Sequence, residues 1–373
     1  MAGSPKRRVA VIGGGIFGVS SALHLARLGA EVTLVTDGPI ASGASSRSLA
    51  WLNSARYRSR AYHDLRMAGL DRYHTLAHAN PSANWLRFDG ALTWDADEAE
   101  NEIDAVFAYE TSIGYAALKL EPGEIAAVTP GVDAAAVTKQ GAIFNPAEGW
   151  VDLPSLIRLL LIQFEAMGGR LVPNAGKARI IVEGGRARGA LLGDGTRVES
   201  DAVLLATGPS VPQSLAENGI HLPDQTPIAL LVKTKPHAHP LRAVLNTPRV
   251  AVRPTPDGGF VLDSAWSEEG IVTAEDGTHS FPPGTTERLL EEASAVLEGR
   301  PRLELESYAM GPKPIPADGD PVFGELAEIP GYFVAFSHSG ATLGLIAGEM
   351  LAREIATGEA YPMLAPFRAS RFK

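Results

Sequence analysis

Three glycines near the start of the chain have the spacing of a dinucleotide-binding loop. Gly13, Gly15 and Gly18 form GxGxxG within VAVIGGGIFGVSSALHLARLGAEVTLVT, residues 9–36. In such a loop the first glycine permits a tight turn, the second lets the backbone approach a pyrophosphate, and the third lets the helix pack closely on the strand. GxGxxG alone is a weak indication, but its place between a predicted strand and a predicted helix indicates dinucleotide binding.

The ribose of a bound dinucleotide would lie near the end of the second predicted strand. An acidic side chain usually binds its hydroxyls, but this position holds Thr36, and Asp37 follows it. Either Thr36 accepts a weaker hydrogen bond or Asp37 takes the role; a solvated turn residue is the third interpretation of Asp37. No basic residue stands here, so a 2′-phosphate is not favoured.

The elements that must position these residues form a βαβ unit. Apolar patterning predicts a buried strand at 8–13, a helix at 16–28 and a second strand at 31–36. Asp152 resembles the N-cap of a helix that ends at Gly168. Further helices are predicted at 62–78, 98–118 and 285–298 and after Gly340, and further strands at 91–94, 202–206, 228–234, 249–254, 259–263, 303–309 and 332–336, with an antiparallel meander from 179 to 199.

Composition excludes several classes of protein. The formal charge of −10 gives no basic footprint for nucleic acid or an anionic membrane surface. The sequence contains no run of about 18 apolar residues, the length that a helix needs to span a bilayer. The chain has no cysteine, which excludes disulfides, thiolate metal sites and a sulfur-linked cofactor and fits a cytoplasmic protein. The nine histidines show no metal-ligand spacing. The sequence leaves the oligomeric state open, a homo-oligomer included.

Segments from both ends and the middle of the chain together resemble one family. They are the glycine loop, SGASS at 42–46, EGWVDLPSLI at 148–157, AVLLATG at 202–208, and MGPKPIPADGDPVFG with SHSGATLG near the C-terminus. These motifs resemble the FAD-dependent D-amino-acid oxidase superfamily, which includes glycine oxidase and sarcosine oxidase. The resemblance implies FAD, bound without a cysteine link, as the cofactor.

The resemblance also implies the architecture. The expected fold is α/β, with a Rossmann-like FAD-binding domain assembled from separated segments and an α+β substrate domain built on a largely antiparallel sheet. The FAD-binding domain is expected to comprise residues 1–80, 145–212 and 311–373, and the substrate domain 81–144 and 213–310.

Further cofactor residues follow from the same resemblance. Ile16 and Phe17 continue the glycine loop, and Gly208 ends the central strand. The start of the C-terminal helix is expected to face the pyrimidine edge of the flavin, where the positive end of the helix would stabilise the reduced ring. The small residues expected along the ribityl-phosphate chain are Ser42, Gly43, Ala44, Ser45 and Ser46, and those of the helix start are Ser339, Gly340, Ala341 and Thr342. His338 is interpreted as a structural residue near the ring. Arg47 either touches the cofactor, faces the substrate or pairs with a surface carboxylate.

One substrate motif departs from the family. Many members carry Gly-Xaa-Arg-Pro, whose arginine clamps the substrate carboxylate with two parallel hydrogen bonds, whereas this chain has Gly311, Pro312, Lys313 and Pro314. Lysine supplies charge without a planar fork. Lys313 either holds a carboxylate as a point charge, helps oxygen accept electrons above the ring, or lies on the surface.

Weaker substrate-side candidates come from the β-rich part. Arg253 could bind an acid group and Tyr308 could form an aromatic wall; His279 and Trp266 are further candidates. For each, a core or structural role is the competing interpretation. RYRSR at 56–60 is interpreted as a solvated loop.

These residues predict a flavoenzyme that oxidises a small amine or amino acid. Hydride transfer to flavin N5 would give an imine that hydrolyses, and oxygen would reoxidise the flavin to yield peroxide. The alternatives are a dehydrogenase of the same fold with another acceptor, an NAD-linked dehydrogenase, and a non-catalytic flavoprotein.

Overall fold

The computed structural model describes residues 6–97 and 100–373. Its helices are α1 (Ile16–Arg27), α2 (Arg60–Ala79), α3 (Ile103–Ser112), α4 (Ile125–Val128), α5 (Leu153–Ala166), α6 (Val211–Ala216), α7 (Ala265–Glu268), α8 (Thr285–Val296) and α9 (Gly340–Thr357). No described helix is both long and apolar enough to cross a membrane.

The strands lie in two large sheets and three small ones. In chain order they are β1 (Arg8–Ile12), β2 (Glu31–Val35), β3 (Trp51–Leu52), β4 (Leu86–Arg87), β5 (Ala91–Thr93), β6 (Leu118–Leu120), β7 (Ala142–Asn145), β8 (Gly149–Val151), β9 (Arg170–Val172), β10 (Arg179–Glu183), β11 (Arg186–Leu191), β12 (Arg197–Glu199), β13 (Ala202–Leu205), β14 (Ile228–Thr234), β15 (Val244–Asn246), β16 (Ala251–Pro254), β17 (Phe260–Asp263), β18 (Val272–Thr273), β19 (His279–Ser280), β20 (Leu305–Pro312), β21 (Val322–Glu325) and β22 (Tyr332–Phe336).

The first large sheet has the order β21-β22-β13-β1-β2-β9. Its pairs are parallel except β21 with β22. Strands β1, β13 and β22 are almost entirely buried and apolar because the sheet is covered on both faces. Since these strands come from distant parts of the chain, this layer is a Rossmann-like unit assembled from separated segments, as predicted.

The second large sheet has the order β20-β14-β17-β16-β15-β5-β7-β6. Every pair is antiparallel except β15 with β5. Helix α8 packs on one face and shares an apolar core with it. The predicted fold class, with a largely antiparallel second sheet, is therefore confirmed. The predicted domain boundaries stay a prediction, and β20 crosses the one between 310 and 311.

Helices α1 and α9 pack very closely beside the first sheet. A Cβ on Gly344 would lie 2.3 Å from Cγ1 of Ile16, and one on Gly348 would lie 2.2 Å from Oγ of Ser20. Only glycine allows this approach. The contact holds the N-termini of the two helices side by side.

The helix predicted at 98–118 is wrong in its second half. Helix α3 ends at Ser112, and Gly114 follows with a φ of +79°. Leu118–Leu120 then pairs with β7 as an edge strand, so cross-strand pairing overrides the helical spacing of the segment. Glu98 and Ala99 lie outside the described residues. The sequence analysis also missed several strands of two to four residues, which are too brief to show a period: β3, β4, β7, β8, β9, β15, β18, β19 and β21.

Candidate functional site

A cavity of about 730 Å³ runs between the two large sheets. At one end it is lined by the glycine loop and the end of β2, and at the other by strands β14–β17 and the segment after β20. The cavity therefore joins the predicted nucleotide site to the predicted substrate side.

Two helix N-termini open into this cavity. Helix α1 has Gly15 as its N-cap and α9 has Ser339, and neither cap makes a side-chain hydrogen bond to its own helix. In α1 the N–H of Ile16 donates to Oγ of Ser45 at 3.2 Å. Helix N-termini carry unpaired N–H groups and partial positive charge, so both ends suit an anionic ligand.

The glycine loop has the geometry that the sequence predicts. Gly13 has a φ of +125°, and a Cβ there would lie 2.2 Å from the carbonyl oxygen of Ala206. A Cβ on Gly18 would lie 1.9 Å from the carbonyl oxygen of Gly13. The first and third glycines are thus required by packing, while Gly15 lines the cavity.

Thr36 and Asp37 differ in how free they are to bind a ribose. Thr36 is buried, and its hydroxyl donates to the carbonyl of Gly38 at 2.8 Å. Asp37 is exposed, lines the cavity and forms no ion pair with a described residue. Of the two side chains, that of Asp37 is therefore the one without a partner among the described residues.

The predicted cofactor residues converge on the cavity wall. All of them line it except Gly18, which packs against Gly13, and Ser46, whose hydroxyl donates to the carbonyl of Gly43 at 3.0 Å. Tertiary structure adds residues that the motifs did not show, namely Trp51, Asn53, Arg58, Arg66 and Gln213.

The side chain of Arg47 packs against Gly311 of the substrate motif and forms no ion pair with a described carboxylate. Its side chain donates to the carbonyl of Ser42 at 2.8 Å, and a Cβ on Gly311 would lie 2.5 Å from its Nε. Burial lowers the pKa of Arg47, and no described carboxylate pairs with it. Of its three interpretations, a surface ion pair finds no support, and a contact with cofactor or substrate stays open.

A buried arginine braces the N-terminus of α9. Arg66 donates to the carbonyl of Asn53 and to its Oδ1, both at 2.8 Å, and to the hydroxyl of Ser339. The hydroxyl of Tyr62 also donates to Ser339, at 2.6 Å. Every partner is neutral, so the positive charge of Arg66 remains available to a negative ligand at this helix end.

A buried acid holds the loop that carries Trp51. Glu148 accepts hydrogen bonds from the indole of Trp51 at 2.7 Å, from the backbone N–H of Ser54 at 3.3 Å and from Tyr115. Burial raises the pKa of Glu148 to about 8, although the three donors oppose that shift. The EGW motif therefore acts as a support beneath the cavity wall.

The far end of the cavity is charged. Lys313 lines it, and its Nζ lies 2.5 Å from Oε1 of Glu268 on α7. Asp263 lines it as well, at the end of β17. Burial raises the pKa of both Asp263 and Glu268, and the charge of Lys313 opposes this.

His338 lies among the cations of this end. Burial, and then the positive charges of Lys313, Arg66 and Arg58, lower its pKa to about 4. The imidazole is neutral at pH 7 and is a poor proton donor.

Arg58 belongs to the segment that the sequence analysis interpreted as a solvated loop. It lines the cavity, its Nε is buried without a hydrogen-bond partner, and NH1 donates to the carbonyl of Tyr57 at 3.0 Å. Within the described residues it forms no ion pair. Burial, and then the neighbouring charge of Arg66, lowers its pKa. No sequence motif distinguished Arg58 from its exposed neighbour Arg60.

The weaker substrate candidates lie away from the cavity. Arg253 is buried, donates to the carbonyls of Leu49 and Pro254, and lies over the Trp150 ring, so it ties β16 to the loop before β3. Tyr308 is 51% exposed, and its ring packs edge-on against Phe281. Neither lines the cavity, which does not support Arg253 as an acid-binding residue or Tyr308 as a pocket wall.

Trp266 and His279 also lie outside the cavity wall. The indole of Trp266 donates to the carbonyl of Arg249 at 2.7 Å, and Nδ1 of His279 hydrogen-bonds Thr273. Among residues 6–97 and 100–373, no group of three or more His, Asp or Glu side chains could hold a metal ion.

The residues present fit FAD. Gly13, Gly14 and Gly15 line the cavity with backbone and no side chain, and two helix N-termini face it. The buried hydroxyl of Thr207 on its wall has no partner among the described residues. The cavity then continues past α9 to the charged end.

Comparison with known proteins also indicates FAD as the cofactor. A family model described as FAD dependent oxidoreductase matches residues 8–354. An opine oxidase subunit from Agrobacterium tumefaciens (strain Ach5) is 25% identical over 97% of this chain and 96% of its own. Glycine oxidase from Bacillus cereus superposes with a TM-score of 0.82 at 22% identity, covering 97% of this chain and 98% of its own. L-proline dehydrogenase from P. horikoshii gives 0.83 at 20% identity, covering 98% of each chain.

Proposed function

The chain belongs to the family of FAD-dependent oxidoreductases, and from that premise we propose that it binds FAD in the cavity and oxidises the C–N bond of a small amine or amino acid. The observation that carries the proposal is the continuous cavity, which joins the glycine loop to a charged end lined by Asp263 and Lys313. A nucleotide site alone would not require that extension.

The residues that would hold FAD follow the cavity wall. Asp37 would accept hydrogen bonds from the ribose, Gly13 to Gly15 and the start of α1 would bind the pyrophosphate, and the loop at 42–47 would border the ribityl chain. The start of α9, at Ser339 to Thr342, would face the ring. Bound FAD would accept a hydride from the carbon that bears the nitrogen, and water would hydrolyse the resulting imine to a carbonyl compound and an amine.

The protein's part in this reaction is positioning and charge stabilisation. The N-terminus of α9 and the guanidinium of Arg66 lie together and would stabilise negative charge that develops beside them. The neutral imidazole of His338 adds no charge there. The described residues at this end thus favour a reaction that needs orientation more than a strong base.

The acid group of an amino-acid substrate would face Arg58 rather than Lys313. Lys313 already has Glu268 as its partner, whereas the buried Nε of Arg58 has none among the described residues. Arginine also offers the planar fork that a carboxylate prefers. Arg58 would therefore take the role that the family gives to the arginine missing from GPKP.

The names of the similar proteins agree with this class of reaction. They include an opine oxidase subunit, a glycine oxidase and an L-proline dehydrogenase. Molecular oxygen is the proposed electron acceptor. Because one of the similar proteins is a dehydrogenase, the second candidate function is an enzyme of the same fold that passes its electrons to another acceptor.

An anaerobic screen tests the proposal. The yellow holoenzyme is mixed with amines, amino acids and N-alkyl amino acids, opine-like conjugates included, and loss of flavin absorbance is recorded. Bleaching by at least one nitrogen compound is expected, followed by recovery of colour and peroxide formation in air. Bleaching without recovery in air would identify the dehydrogenase, and no bleaching by any compound would refute amine oxidation.

The role of Arg58 is tested in the same assay. Arg58→Met is expected to raise KM for acid-bearing substrates on the order of 10- to 100-fold, because a charge-assisted bidentate contact is lost, with little change for amines lacking a carboxylate. Arg60→Met is the matched control, since Arg60 is exposed and pairs with Asp64. An equal loss for both kinds of substrate would contradict carboxylate binding.

A further inference from the structure

We propose that Asp263 binds a second, positively charged group of the substrate, so that the protein acts on basic amino acids or their N-substituted derivatives in preference to neutral ones. The inference rests on the proposed function and adds the substrate class.

Three neighbouring strands place Asp263 on the cavity wall. Asn246 of β15 pairs with Ala251 of β16, and Ala251 pairs with Asp263 of β17. All three line the cavity. Side chains directly opposite one another on adjacent strands point to the same face of the sheet. The small side chain of Ala251 therefore separates a carboxamide from a carboxylate on one polar strip of the substrate side.

The charge on this strip is not balanced by the described residues. Lys313 is the nearby cation, and its ammonium group is engaged by Glu268 at 2.5 Å. Asp263 forms no ion pair within 4.0 Å among the described residues, and the hydrogen-bonding group beside it is the backbone N–H of Ser264. Two carboxylates thus face one ammonium. A partly buried carboxylate without a partner is costly unless a ligand supplies the missing positive charge.

Positive charge also lines this cavity. Arg58, Arg66 and Lys313 lie on its wall, and all three lower the pKa of His338. The same cavity therefore offers two arginine cations and the carboxylate of Asp263. A molecule that carries a carboxylate and, at its other end, an ammonium or guanidinium group matches both kinds of charge.

A neutral substrate would match only one of them. It would remove water from the Asp263 carboxylate without supplying a positively charged partner. A polar group that is buried without a partner opposes binding far more than a missing methylene does. A terminal cation is therefore the feature by which this site would discriminate.

The test compares substrates that have the same shape but differ in charge. Arginine and citrulline form one such pair and lysine and norleucine another, each tried as both enantiomers. Wild-type holoenzyme is expected to show kcat/KM for the basic member on the order of 10- to 100-fold above that for the neutral one. Asp263→Asn is expected to bring the ratio to within about threefold, mainly by raising KM for the basic substrate.

Asp257→Asn is the matched control. Asp257 lies in the turn that joins β16 to β17, outside the cavity wall, where it pairs with Lys233. This variant is expected to keep the wild-type ratio. Should Asp263→Asn not fold, Asp263→Ser takes its place. The ratio of kcat/KM for the basic substrate to that for the neutral one, measured on the wild type, is itself a test.

A binding measurement separates this inference from the proposed function. Arginine and citrulline are titrated into oxidised holoenzyme, and the shift of the flavin spectrum gives each dissociation constant. Preferential binding of arginine, lost in Asp263→Asn, supports the inference even where no substrate bleaches the flavin. Equal binding of both ligands by the wild type, or an equal loss for both in Asp263→Asn, overturns it.

Discussion

The ammonium group of Lys313 lies 2.5 Å from a carboxylate oxygen of Glu268, with the two side chains 24% and 14% exposed. The ion pair joins the segment after β20, where Lys313 lines the cavity, to α7. A residue that the sequence suggests as a substrate cation therefore has a partner within the protein.

Removing one member of this pair is expected to cost stability more than catalysis. Lys313→Met would leave the Glu268 carboxylate enclosed beside Asp263, and the free energy of unfolding should fall by about 1–3 kcal/mol. Lys313→Met combined with Glu268→Gln should lose less than the sum of the single changes. Urea unfolding of the four proteins measures this. Unchanged stability together with a raised KM for acidic substrates would instead make Lys313 the carboxylate-binding residue.

The ribose acceptor can be identified by FAD affinity. Asp37→Asn is expected to weaken FAD binding on the order of 10-fold, because a charged acceptor of ribose hydroxyls becomes neutral. Thr36→Val is expected to cost about 1 kcal/mol of stability through its bond to Gly38, with a smaller effect on affinity. Fluorescence titration of FAD into apoprotein compares them. A larger loss in Thr36→Val would reverse the assignment.

The contact between α1 and α9 should tolerate no side chain at Gly348. Gly348→Val would place carbon atoms within the position of Ser20, so the helices must separate, and a loss of about 3 kcal/mol or failure to fold is expected. Gly340→Ala on the same helix is the control, because its nearest neighbour would lie at 3.5 Å. Thermal unfolding of the apoprotein provides the comparison. Equal melting temperatures for the two variants would contradict the packing described.

Acid should destabilise the protein partly through His24 on α1. Burial lowers the pKa of His24 to about 4 from an ordinary value of 6.5. Between these values the unfolded chain binds a proton that the folded chain does not. The contribution of neutral His24 to the free energy of unfolding is therefore fully present above pH 6.5 and is lost as the pH falls towards 4. His24→Gln removes this titration, and the difference in unfolding free energy between variant and wild type should change across that range. A difference independent of pH would contradict the shift.

Some of this site could be read from the sequence because it depends on local conformation. The GxGxxG loop needs its glycines for the turn at Gly13 and for the contact of Gly18 with Gly13, whatever the rest of the chain does. The N-cap Asp152, whose carboxylate accepts the N–H of Ser155 at 3.1 Å, is likewise local. Strand and helix patterns around these residues were sufficient to predict a nucleotide-binding βαβ unit and a mainly β second region, while the family resemblance supplied the largely antiparallel second sheet.

The substrate end is different, because tertiary structure alone decides which charges meet there. Lys313 and Glu268 are 45 positions apart, and nothing in either segment indicates their pairing. Arg58 and Arg60 look equivalent in RYRSR, yet Arg58 lines the cavity while Arg60 lies on the exposed start of α2. Asp263 carried no sequence signal, since only the register of β15, β16 and β17 places it on the cavity wall. The sequence by itself determined the dinucleotide cradle, whereas the fold decided which side chains remain free to select a substrate, because burial and charge pairing depend on residues far apart in the chain.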